Sequence, residues 1–119
     1  MPRDHRPAKS LRVLLSPPDP ALAVLLGLQP DLEVVADPLT GRPEVALVAE
    51  ASQVGAVLAE APDCRVLLLT GSAPPGLLRA ALAAGASGMV LRDGPVADLA
   101  AAIRRASTGE TVVDPGLAP

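Results

Sequence analysis

The feature that most constrains this chain is an alternation that runs along most of its 119 residues. Short runs rich in Val and Leu take turns with longer segments of helical character. The runs are Arg12–Leu15, Glu33–Ala36, Val45–Val48, Arg65–Leu69 and Gly88–Leu91. Their apolar residues are continuous rather than spaced every second position, which is the pattern of strands covered on both faces. Between them stand helical candidates at Ala21–Leu28, Ser52–Glu60, Pro75–Ala84 and Val96–Ser107. Strand, helix and strand in regular succession require right-handed crossovers and hence a parallel sheet.

The punctuation agrees. Pro20, Pro75 and Pro95 fit the first turn of a helix, where a missing N–H costs nothing. Pro30 ends the first helix. Gly85 and Gly109 are expected to cap two others in the left-handed conformation. One connection breaks the pattern. Only the eight residues DPLTGRPE separate Ala36 from Val45. A crossover containing a helix needs at least ~10–12 residues. This crossover is therefore expected to be a loop, which leaves part of one sheet face thinly covered.

Composition excludes several classes. No aromatic residue is present, so Leu, Val and Ala must build the core, each buried Leu or Val contributing roughly 1.5–3 kcal/mol. No apolar run approaches the ~18 residues of a membrane span, so no membrane partner is expected. The N-terminal MPRDHRPAK lacks the apolar stretch of a signal peptide, and the cytoplasm is the default compartment. A formal net charge of −3 argues against nucleic-acid binding by this segment. The single cysteine, Cys64, permits no internal disulfide and reads as a small buried apolar residue. His5 falls in the tail. No metal-ligand spacing, Ser/His/Asp set or phosphate-binding glycine loop appears, so no cofactor or metal is expected.

Several segments, taken together and in order, resemble a known family. LRVLLSPPDP, PDLEVV, PEVALVAE, APDCRVLLLT, LRAALAAGASGMVLRD and LAAAIRRASTGE are similar to the receiver domain of two-component response regulators, in the NarL/FixJ-like subfamily with a LuxR-type helix-turn-helix output. The stretch ALAAGASGMVLRDGPVADLAAAIRRASTGE is the most specific, and the resemblance runs from about Leu11 to Pro115. It implies a flavodoxin-like α/β/α sandwich with a five-stranded parallel sheet of order 2-1-3-4-5. Residues 1–10 are then expected to be a disordered tail and residues 11–110 the receiver-like domain. Residues 111–119 are expected to begin a linker to a C-terminal DNA-binding domain outside this chain.

The resemblance also implies a phosphorylation site. In a working receiver an acidic pair after the first strand holds Mg²⁺, and an aspartate ending the third takes the phosphoryl group. A Thr or Ser ends the fourth strand and a Lys ends the fifth, both contacting the phosphoryl oxygens, and an aromatic residue in the fifth reports the state. In this sequence the acidic pair falls on Pro17 and Pro18, the acceptor on Ala49, the lysine on Arg92 and the aromatic on Met89. Thr70 alone is retained. Alanine has no nucleophile, and proline offers Mg²⁺ no carboxylate oxygen. Arginine carries positive charge, but as a planar fork rather than a compact ammonium.

The remaining polar residues have two readings each. Asp19 and Glu50, beside the lost acids, would hold Mg²⁺ or accept phosphate in a shifted register. Otherwise Asp19 caps the first helix and Glu50 faces solvent. Arg92 would fill the emptied pocket by pairing with Asp19, Glu50 or Asp93, or else lie on the surface. Thr70, Gly71 and Ser72 would bind an anion, or else bond their own backbone. The helix at Ala21–Leu28 has no polar face, and the last helix is lined with alanine. Leu22, Leu25, Leu26, Ala101, Ala102 and Arg105 are therefore expected to form a two-fold dimer patch.

The function these readings predict is a phosphorylation-independent receiver-like regulatory domain of a transcriptional response regulator, not an enzyme. It would act through homodimerisation or interdomain contacts, and reach DNA only through a C-terminal helix-turn-helix. The alternative is a small-molecule sensor using the crevice at the carboxyl ends of the strands.

Overall fold

A computed structural model describes residues 10–115 and Leu117. Most of the expected N-terminal tail, including His5, lies outside the described residues. The strands are β1 (Leu11–Ser16), β2 (Leu32–Val35), β3 (Val45–Val48), β4 (Arg65–Thr70), β5 (Gly88–Leu91) and β6 (Val112–Val113). The helices are α1 (Pro20–Gly27), α2 (Ser52–Glu60), α3 (Leu77–Ala83) and α4 (Val96–Ser107). All strands are parallel, in the order β2-β1-β3-β4-β5-β6. Val13 lies between Val34 and Val45, and Leu47 pairs with Leu67.

Continuous apolar strands arise because both faces are covered. Along β4, Leu67 and Leu69 join Val13, Leu15, Leu26, Leu47 and Ile103 in the layer under α1 and α4. Val66 and Leu68 point the other way, to Leu14, Ala46, Val48, Val54, Ala81 and Met89 under α2 and α3. Met89 is completely buried in this second layer.

Two expectations are corrected. The sheet has six strands rather than five, because residues read as the start of a linker add β6. Val112 donates its N–H to the Ser87 carbonyl at 2.9 Å, and Asp114 to that of Met89 at 3.0 Å. Leu117 is also buried, against the α2/α3 layer. The third helix is shorter than Pro75–Ala84, because Gly76 precedes it in the left-handed conformation (φ 87°) and leaves Pro74 and Pro75 in the loop.

The expected helix-free crossover is present between β2 and β3. Asp37 organises it, its Oδ1 accepting from the backbone N–H of Leu39 at 2.7 Å and of Thr40 at 3.3 Å. These donors hold its carboxyl below the usual carboxylate range. Gly41 packs so closely that an added Cβ would lie 2.8 Å from the Cβ of Val35. The loop thus lies flat on β2 where a helix would otherwise stand.

Arg104 of α4 grips the α1–β2 turn. Its Nε and Nη2 donate to Asp31 Oδ2 and Oδ1 at 2.7 and 2.9 Å, and Nη2 also to Gln29 Oε1 at 2.9 Å. The two side chains of the ion pair remain 40% and 29% exposed, so solvent screens much of its energy. Arg104→Ala is expected to lower stability by about 1 kcal/mol in urea denaturation. The guanidinium's hydrogen bonds hold the Asp31 carboxyl below its ordinary pKa. A depressed carboxylate stabilises the fold fully above its unfolded value, about 3.9. That contribution is lost as pH falls through the lower folded value. Acid unfolding of Asp31→Asn should accordingly show a weaker pH dependence below pH ~4 than the parent chain.

Candidate functional site

The carboxyl ends of parallel strands are where an open α/β sheet presents a crevice. Pro17 and Pro18 follow β1, Ala49 follows β3, Thr70 ends β4 and Arg92 follows β5. A cavity of about 310 Å³ lies there, lined by Leu15, Ser16, Pro17, Pro18, Asp19, Pro20, Leu22, Leu47, Val48, Ala49, Leu69 and Arg92. The structure therefore brings Pro17, Pro18, Asp19, Ala49 and Arg92 to one site. Thr70, Glu50, Asp93 and Met89 are not part of its lining. A second cavity of about 190 Å³ shares Leu15, Pro18, Asp19 and Pro20 with it and continues over Ala23 and Val34–Ala36. That extension lies at the end of β2, beside the helix-free crossover.

The polar groups around the crevice are mostly engaged. Asp19 caps α1, its Oδ1 accepting from the Leu22 N–H at 3.1 Å. The backbone N–H groups of Ala49 and Glu50 both donate to Gln53 Oε1, each at 3.0 Å. The Thr70 hydroxyl donates to the Ser72 carbonyl at 2.6 Å and accepts from the Ser72 N–H at 3.3 Å. That loop therefore bonds its own backbone. Glu50 is exposed.

Arg92 differs from these. Its side chain lies over Gly71, where an added Cβ would sit 2.9 Å from Nη2. Among the described residues its one ion pair is with Asp93, Nε to Oδ1 at 4.0 Å, with the arginine side chain 59% exposed. It forms no ion pair with Asp19 or Glu50 among the described residues. Of the three acids offered for the pairing, only the neighbouring Asp93 contacts Arg92, at long range, because the guanidinium rests over Gly71 at the end of β4.

The expected dimer patch needs a similar correction. Leu26 is 0% exposed in the α1/α4 layer, and Ala102 is buried there too. Neither side chain is available to a second chain. Leu22 is half-buried, Leu25 and Ala101 are exposed, and Arg105 pairs with Glu110 at 3.2 Å. The outward face of α1 instead presents Val24 and Leu28, 66% and 73% exposed, beside Leu25. Eight residues with no polar side give no periodicity from which to tell inward from outward, so the sequence did not distinguish them.

Gln53 was missed in the sequence, and Gly71 was read only as part of the Thr70–Ser72 loop, not as the seat of Arg92. Gln53 stands three residues after Glu50, a spacing at which a side chain can reach back to helix-start N–H groups, and this was a usable signal. The seating of Arg92 on Gly71 carried none, since that contact comes from a side chain 21 positions away in sequence. Cys64 is buried as expected, and burial pushes its thiol up to about 12. It should react with a thiol reagent only on the timescale of unfolding, which stopped-flow labelling with and without urea would measure.

No family model matches the chain. The transcriptional regulatory protein DesR of Bacillus subtilis is 33% identical over 113 residues, covering 82% of this chain and 56% of DesR. Its homologues and structural neighbours are response regulators, and the chain is a receiver-like domain with their fold. The signal receiver domain of NarL from Mycobacterium tuberculosis superposes with a TM-score of 0.71 at 21% identity, covering 86% of this chain and 99% of that one. A LuxR-family two-component response regulator from Aurantimonas sp. SI85-9A1 gives a TM-score of 0.72 at 20% identity, covering 90% and 91%. This receiver-like domain spans about half the length of the curated relatives it matches. No helix among its described residues is long and apolar enough to cross a membrane.

Proposed function

We propose that this receiver-like domain regulates a cytoplasmic transcription factor without accepting phosphate on aspartate, and that it is not itself an enzyme. One observation carries the reading. Where the receiver family places its nucleophile, the Ala49 methyl lines a cavity walled by proline rings, and the N–H groups beside it are held by Gln53. Phosphoryl transfer needs a nucleophile, a metal-neutralised charge and free donors at the developing oxyanion. Alanine and proline supply none of these, and Arg92 is a single cation. Asp19 is committed to its helix cap, which disfavours the reading in which it substitutes for the lost acids.

Output would then pass through contacts rather than chemistry: through a second copy, or through a C-terminal helix-turn-helix domain that binds DNA. The exposed Val24 and Leu25 of α1 and Leu28 at its C-terminal end support an association surface. Incubation with acetyl phosphate and Mg²⁺ should leave the intact mass unchanged. A stable phosphoryl adduct would overturn the reading. Light scattering of the chain should give a dimer that Val24→Ser/Leu28→Ser converts to monomer.

A further inference from the structure

The strand-end crevice has the make-up of a ligand site of a definite kind. Its walls are Leu15, Pro17, Pro18, Leu22, Leu47 and Leu69, with one cation, Arg92, at one side. At the ~30 Å³ that a water molecule occupies in the liquid, about 310 Å³ holds a ligand of roughly ten non-hydrogen atoms. Apolar walls with few polar anchors are the usual composition of a small-molecule site.

The anchor groups decide the ligand's charge. The N–H groups of Ala49 and Glu50 are taken by Gln53, and the Thr70 hydroxyl by Ser72. A phosphate dianion would find one guanidinium and little else, leaving most of its oxygens without donors. A single carboxylate needs only the guanidinium fork, which it engages through two parallel hydrogen bonds. Arg92 can supply that fork, since its contact with Asp93 is long and solvent-exposed. Asp19, with its carboxylate on the α1 side of the cavity, directs an entering anion toward Arg92 and leaves the ligand's tail to the apolar walls.

We propose that this crevice binds a small monocarboxylic acid with an apolar body, its carboxylate on Arg92 and its tail among Leu15, Pro18, Leu22, Leu47 and Leu69. The neighbouring cavity over Ala23 and Val34–Ala36 extends the trough, so a longer tail continues along it. The inference rests on the reading that the crevice takes no phosphoryl group.

The test uses the full 119-residue chain and four probes: hexanoate, octanoate and their primary amides. Binding is followed by amide chemical shifts in NMR and by calorimetry. Hexanoate and octanoate should shift the amides of Leu15, Ser16, Asp19, Ala21, Leu22, Val48–Glu50, Gly71 and Arg92, and octanoate alone should extend the shifts to Val34–Ala36. The amides should bind about tenfold more weakly, in keeping with loss of one charge-assisted pair. Arg92→Gln should remove that preference. Gly71→Ala, which pushes the guanidinium from its seat, should weaken acid binding in the same direction. Equal binding of acid and amide, an unaltered preference in Arg92→Gln, or no shift at these residues at millimolar probe would overturn the proposal. Acetyl phosphate in parallel separates the failures. An adduct defeats the reading beneath the proposal, whereas no adduct with no carboxylate binding defeats the proposal alone.

Discussion

Gly88→Ala should unfold or nearly unfold the domain, with a loss of about 4 kcal/mol in urea denaturation. A Cβ at this position would lie 1.7 Å from the Val112 carbonyl oxygen, a backbone atom that cannot turn aside. The residue also has φ 154°, which an L side chain rarely adopts. Overpacking costs ~1–3 kcal/mol and backbone strain a similar ~1–3 kcal/mol, and here both act together. Relief requires β6 to leave β5, which exposes Val112 and frees Leu117 from the opposite layer. Gly55→Ala provides the opposite sign. Gly55 lies within α2 with nothing within 4 Å of an added Cβ, so alanine should stabilise by ~0.5–1 kcal/mol.

Leu26→Ala should cost ~2–5 kcal/mol, because it empties a fully buried site between α1 and the sheet. With no aromatic side chain in the sequence, the surrounding Leu, Val and Ala side chains share the packing and have no large neighbour to fill the void. The same chemistry one turn away behaves differently. Val24→Ala and Leu28→Ala remove exposed side chains and should change monomer stability by no more than ~0.5 kcal/mol. Their effect should appear in light scattering, as weaker self-association. If Leu26→Ala were silent in denaturation and Val24→Ala costly, the assignment of α1's inner and outer faces would be reversed.

The sheet was readable in the sequence because burial on both faces writes itself as unbroken Val and Leu. Arg65–Leu69 and Val45–Val48 needed no other signal. The helix-free crossover was readable from its length alone, although its covering of β2 by Gly41 was not, since a close backbone approach leaves only a glycine behind. β6 was missed because two residues between a polar turn and a proline carry too little pattern, and Gly88, which admits them, looked like part of a family signature. At the crevice, the residue types at Pro17, Pro18, Ala49 and Arg92 were legible by alignment. The direction of Arg92 was not, because it depends on Gly71 lacking a side chain in the loop after β4. In α1, uniform hydrophobicity concealed which leucine is core. Leu26 and Leu25 are chemically identical, and only the tilt of the helix on the sheet separates them.

The central claim is that the crevice no longer holds a divalent cation together with a phosphoryl group, and fluorine NMR of the chain with Mg²⁺ and beryllofluoride tests it most directly. The spectrum should show free beryllofluoride species alone, with amide resonances of Pro17-adjacent Ser16, Ala49 and Thr70 unmoved by Mg²⁺. A Mg²⁺-dependent bound fluoride signal, accompanied by shifts at Ser16, Ala49 and Thr70, would contradict it.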